Sequence, residues 1–136
     1  MRIAYLDTIA GISGDMTLGA FISAGVPLDQ LTAELGKLRL SGFDVTAKPI
    51  QRNGITAVKV DVVISDAPKY HRQLADINAI IDQSDLSVAV KKRAKKIFHE
   101  VALAEAKVHN STLDKVHFHE VGAIDSLVDI VGTSIC

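Results

Sequence analysis

Cysteine is almost absent from this 136-residue chain, which carries Cys136 alone, at its last position. A single thiol excludes a disulfide framework and any thiolate cluster built within one chain. Tryptophan is missing and aromatic residues make up only 4%, too few for a base-stacking platform. Net charge is nearly absent too: fifteen Lys and Arg stand against sixteen Asp and Glu, for -1 overall. A surface built to hold nucleic acid would be strongly basic, so no nucleic-acid partner is expected. Long apolar runs are also lacking. Asp7 ends the first, and Asp15, Asp125 and Asp129 break the others, short of a signal-peptide core or the ~20 residues of a spanning helix. The expected setting is a reducing cytoplasm, with no membrane partner.

What remains is 48% hydrophobic and 23% charged, the balance of one soluble globular domain. Residues 2–7 (Arg-Ile-Ala-Tyr-Leu-Asp) read as a short strand, 10–15 as a small-residue loop, and 16–24 as a helix stopped by Gly25. Pro27 opens a second helix whose apolar stripe is Leu28, Leu31, Leu35 and Leu38. Two β-branched segments, 43–52 and 55–65, flank Asn53-Gly54, the strongest short hairpin signal. A third helix is expected over about 72–82, with Leu74, Ile77, Ile80 and Ile81 inward. The longest helix, about 88–109, has Val90, Ala94, Ile97, Val101, Ala104 and Val108 as its seam. A strand over 116–121 and a helix from Ala123 complete the chain. The order suggests a two-layer α+β fold: a βαββαβ-like unit with doubled helices on one face of a mostly antiparallel sheet of about four strands. The last helix has no glycine stop, basic final turn or proline, so residues 1–136 read as one N-terminal domain of something longer. Its apolar face (Leu127, Ile130, Val131, Ile135) is therefore expected to be incompletely covered, and the chain to self-associate.

Two segments could carry chemistry. In Val116-His-Phe-His-Glu-Val121, alternation puts His117 and His119 on one strand face, ~7 Å apart, where they could share a metal ion or act as an acid/base pair. Gly122 would let Glu120 turn toward the same place. The plain alternative is a solvated strand face. Asp125 and Asp129 follow at helical spacing, and one of them could simply favour the positive helix end. Such oxygen and nitrogen ligands suit Ni²⁺, Zn²⁺, Mn²⁺ or Mg²⁺. In Asp7-Thr-Ile-Ala-Gly-Ile-Ser-Gly-Asp15, a small loop leads into a helix start, an anion site in principle. No Lys follows the second glycine, and Asp15 would repel a bare phosphate unless a divalent ion bridged them. The alternative is an ordinary connection with Ser13 or Asp15 as N-cap. The basic run Lys91, Lys92, Arg93, Lys95 and Lys96 reads as a solvated helix face. Glu105 and His109, four apart, form a ligand pair or else merely complement a helix end. His99 reads as packing and His71 stays undecided.

Tyr5-Leu-Asp-Thr-Ile-Ala-Gly-Ile-Ser-Gly-Asp-Met-Thr-Leu-Gly-Ala20, Ala104-Glu-Ala-Lys-Val-His109 and Val116-His-Phe-His-Glu-Val-Gly-Ala-Ile-Asp-Ser-Leu-Val-Asp-Ile-Val-Gly132 together resemble the LarC family. These are the nickel insertion proteins of nickel-pincer nucleotide biosynthesis, which supply the cofactor of lactate racemase. The resemblance implies a cytoplasmic nickel-inserting lyase, a CTP-dependent cyclometallase. Its substrates would be nickel and a pyridinium bisthiocarboxylate mononucleotide, joined by one nickel–carbon and two nickel–sulfur bonds. It also implies that CTP and its divalent ion bind a C-terminal domain not represented in this sequence. The matching positions are Asp7, Gly11, Ser13, Gly14, Asp15, His109, His117, His119, Glu120, Gly122, Asp125, Ser126 and Asp129. His109, His117, His119, Glu120 and Asp125 are the metal candidates. Gly11, Ser13, Gly14 and Asp15 are the phosphate or substrate candidates, and Asp7 and Asp15 the catalytic ones. All are expected to meet at one cleft. The alternatives are a nickel-delivery module without catalysis, and a scaffold or oligomerisation domain.

Overall fold

The structure, a computed structural model, describes residues 3–9, 11–65, 72–118 and 123–136. Asn53 and Gly54 both take positive φ, 51° and 79°, as a two-residue hairpin turn requires. They join β1 (Phe43–Arg52) to β2 (Ile55–Ile64) in antiparallel register, Val45 opposite Val62 and Ala47 opposite Val60. One hairpin face is wet, with Lys48, Lys59 and Asp61 forming ion pairs across it. The acid between them relieves the like-charge opposition of Lys48 and Lys59. The other face, with Val45 and Val60 buried, receives the helices.

Helix α1 (Gly14–Ser23) lies on β2, and α2 (Leu28–Gly36) touches β1. Gly19 makes the first contact fit: a Cβ there would overlap the carbonyl oxygen of Val58. Leu31, Leu35 and Leu38 are buried, as the leucine stripe requires. Helices α3 (Leu74–Gln83) and α4 (Val88–Val108) pack together, and α5 (Ile124–Ile135) meets α1, α2, α4 and β2. The expected incomplete covering of α5 holds only at Ile130 and Ile135. Leu127, Val128 and Val131 are fully buried, and Ile130 and Ile135 are partly buried against the same core.

The fold is α+β, with an antiparallel hairpin and helices packed on one of its faces. The single four-stranded sheet is not seen among the described residues. Besides the hairpin there is one short antiparallel pair, β3 (Arg72–Gln73) with β4 (His117–Phe118). The expected first strand does not form either. Residues 3–8 have no ladder partner among the described residues and are exposed, and an extended segment without a neighbour gains no hydrogen bonds. The α4 seam also differs, running through Val90, Ala94, Phe98, Ala102 and Ala106. Phe98 turns the helix, because its ring meets Phe118 at 6.4 Å in a tilted arrangement. Ala104 and Val108 are consequently exposed, as is His99, which does not pack.

The basic run is more than a solvated face. Arg93 donates two hydrogen bonds to the Ser134 carbonyl, at 3.1 and 2.7 Å, in the last turn of α5. Lys91 reaches the carbonyls of Asp82 and Ser84 at the end of α3, and Lys95 pairs with Asp82. Cations at carboxyl-terminal helix ends satisfy carbonyls that have no partner inside the helix. Among the described residues no helix is long and apolar enough to cross a membrane.

Two of the helical glycines, Gly19 and Gly36, separate close packing from helix propensity. Gly19→Ala should lower stability by ~2 kcal/mol or more, because Val58 backbone must move. Gly36→Ala, with open space around it, should be neutral or stabilising by up to ~1 kcal/mol. Urea unfolding of the two variants checks the contrast.

Candidate functional site

Gly11 sits in a tight turn, with φ +82° and its N–H donating to the Thr8 carbonyl at 2.9 Å. The turn aims the chain into α1. Ser13 is the N-cap by position, but its hydroxyl does not cap the helix; it donates instead to the Asp15 carboxylate. Its carbonyl accepts from the Thr17 N–H at 3.0 Å and the Thr17 hydroxyl at 2.8 Å. The amino end of α1 is therefore left without a side-chain cap.

Asp129 lies against that end. A Cβ on Gly14 would overlap the Cβ, Cγ and Oδ2 of Asp129, so only glycine allows the carboxylate to come so near. One turn on, Gly132 does the same for Leu18, whose Cδ2 lies 2.9 Å from where a Cβ would stand. The contacts advance together, Gly14 with Asp129 and Leu18 with Gly132, so the two helices run alongside in the same sense. The positive end of α1 thus lies beside Asp129, a favourable place for a carboxylate.

Three carboxylates collect there. Burial pushes Asp129 up to about 6, helped by the charge of Asp15 and then that of Asp125. Its Oδ1 is buried without a hydrogen-bond partner among the described residues. Asp125 is exposed in the first turn of α5 and accepts from the Ser126 N–H at 2.7 Å. Asp15 and Asp125, from segments over a hundred residues apart, thus act on one carboxyl. Among the described residues, however, no group of three histidine, cysteine or acidic side chains is arranged to hold a metal ion as it stands.

The other candidates are placed as follows. Asp7 is exposed ahead of the turn, and among the described residues it has no hydrogen bond or ion pair. His109 ends α4, its Nε2 3.1 Å from a Glu105 carboxylate oxygen. His117 pairs through its backbone with Gln73. His119, Glu120, Gly122 and His71 lie outside the described residues. Asp129, at the centre of the carboxylate group, counts in the sequence as one of two acids near the histidines and as a position matching the family, but not among the five metal candidates. The signal for it was a glycine in each motif block, since small residues mark where helices approach closely.

Both blocks that meet at this crossing lie within one match: residues 4–136 correspond to the family described as nickel insertion protein. The chain belongs to the nickel insertion protein family. A relative from Acetivibrio thermocellus, named pyridinium-3,5-bisthiocarboxylic acid mononucleotide nickel insertion protein, is 49% identical over all of this chain and 35% of its own length. A protein of the same name from Geobacillus kaustophilus is 47% identical over 99% of this chain and 35% of its own length. A putative nickel insertion protein from a Geobacter species is 47% identical with the same coverage. The chain thus spans about a third of the length of these curated relatives. No solved structure matches it.

For a family member with this crossing, Asp129 sets a pH dependence. Its carboxyl holds a proton more tightly when folded, so its contribution is most favourable below pH ~4 and is lost as pH rises through about 6. Two units would be nearly 3 kcal/mol, which solvent access to the half-buried group reduces to about 1–2 kcal/mol. Asp129→Asn should therefore stabilise the metal-free protein at pH 7 by that amount and flatten stability between pH 4 and 7. Chemical unfolding across that range would show it; an unchanged pH profile would contradict the assignment.

Proposed function

We propose that this chain is the N-terminal, metal-handling domain of a nickel-inserting enzyme. In this reading residues 1–136 form one domain, and its substrate is nickel destined for a pyridinium bisthiocarboxylate mononucleotide. The complete protein would act in the cytoplasm as a CTP-dependent cyclometallase, in self-associating form. The observation that carries the reading is the meeting of the two motif blocks: Gly14 admits Asp129, which shares its surroundings with Asp15 and Asp125. A half-buried carboxyl beside two further acids, with an oxygen that has no partner among the described residues, is stabilised by a cation and destabilised without one. The printed names of the relatives point to nickel as the cation, and the sequence candidates His109, His117, His119 and Glu120 would add nitrogen and oxygen ligands suited to it.

The same arrangement argues against CTP here. No Lys follows Gly14, and three carboxylates surround the helix start that a triphosphate would need, so the residues present do not fit a nucleotide. Any role of Gly11, Ser13, Gly14 and Asp15 toward substrate phosphate would run through a shared divalent ion. Asp7 and Asp15 remain the candidates for proton handling beside the metal.

Calorimetric titration of Ni²⁺ and Mg²⁺ into the protein tests this. Ni²⁺ should bind more tightly, and binding should weaken as pH falls through ~6.5, where histidine protonates. His117→Ala/His119→Ala and Asp125→Asn/Asp129→Asn should each weaken Ni²⁺ binding by at least about tenfold and abolish nickel insertion by the complete protein. Ni²⁺ binding equal to that of the unaltered protein in both variants would leave a scaffold domain as the better reading. Lost insertion with retained metal transfer to a partner would favour a delivery module.

A further inference from the structure

We infer that residues 3–6 become a β-strand in the complete protein, paired with a strand from the two thirds of the family's length that this chain does not span. Twelve large apolar side chains are exposed among the described residues, and six of them, Ile3, Tyr5, Leu6, Ile9, Ile12 and Met16, fall within fourteen positions. Ile3, Tyr5 and Ile9 are 82%, 88% and 93% exposed. At roughly 200 Å² for a large side chain, these six expose about 800 Å². Gathered in one short segment, that is about the area of one side of a standard protein interface.

The pattern says what covers it. Ile3 and Tyr5 share one strand face, Ala4 and Leu6 the other, so both faces are apolar. Such a run belongs inside a sheet with layers above and below it. A second copy of this chain would offer the same lone segment, covering one edge and leaving the faces bare. Relatives that this chain matches over only 35% of their length carry ample further polypeptide to supply neighbouring strands and cover. The Thr8–Gly11 turn ties this segment to α1, so a strand docked there would bring its own residues close to Asp15. The inference rests on the exposed segment and the family's length, and stands or falls independently of nickel binding.

Hydrogen–deuterium exchange resolves it. In the complete protein, in one polypeptide or with the remainder supplied separately, the amides of residues 4–6 should exchange at least a hundredfold more slowly than in the 136-residue chain. Tyr5→Pro should lower the unfolding midpoint of the complete protein and leave that of the 136-residue chain unchanged. Fast exchange in the complete protein overturns the inference. So does protection in the 136-residue chain that grows with its concentration, which would make a second copy the occupant. A Tyr5→Pro effect in both proteins, or in neither, also overturns it.

Discussion

Helix α1 can lie against α5 only because two positions carry no side chain. Gly14 leaves room for the Asp129 carboxyl, and Gly132 leaves room for Leu18. Leu18 is fully buried, as are Leu127, Val128 and Val131 on the partner helix, so this crossing lies within the core. Gly19 extends the same economy to the hairpin, bringing α1 down onto the Val58 backbone. A larger residue at any of these three points would separate layers that the buried side chains hold together. The cation tethers at the far end act on the same helix: Arg93 fixes the last turn of α5 through the Ser134 carbonyl.

The crossing sets a conflict between stability and chemistry. An aspartate at a helix contact, half-buried beside two other acids, is a poor choice for folding alone. Asparagine would keep the shape and remove the charge. The amino end of α1 offsets part of the penalty, and a bound cation would offset the rest. A local rule broken at the meeting point of two motif blocks is the pattern expected of a functional site.

Much of the fold was legible because it is locally encoded. Asn53-Gly54 dictated the hairpin and its register, and the leucines of α2 marked their own inward face. The α4 seam was misread by a fraction of a turn, since apolar spacing cannot tell that Phe98 will seek the ring of Phe118. The lysines and arginine of α4 looked like a wet face because their acceptors, the ends of α3 and α5, are distant in sequence. Residues 3–6 have strand chemistry but no strand partner among the described residues, and pairing is a property of the neighbour as much as of the segment. At the site, spacing drew attention to the histidines and to the pair Asp125 and Asp129, without showing which acid is central. Asp129 takes its place through a tertiary contact with Gly14 that periodicity does not reveal.

The account holds that nickel is handled where this glycine-permitted crossing brings the carboxylates together. Gly14→Ala tests it most directly, because it removes no potential ligand and alters only how closely Asp129 approaches α1. Ni²⁺ affinity measured by titration, on protein shown by circular dichroism to be folded, should fall by at least about tenfold in Gly14→Ala. It should stay unchanged in Gly36→Ala, the control with open space around it. A folded Gly14→Ala protein that binds Ni²⁺ as tightly as the unaltered chain would contradict the account.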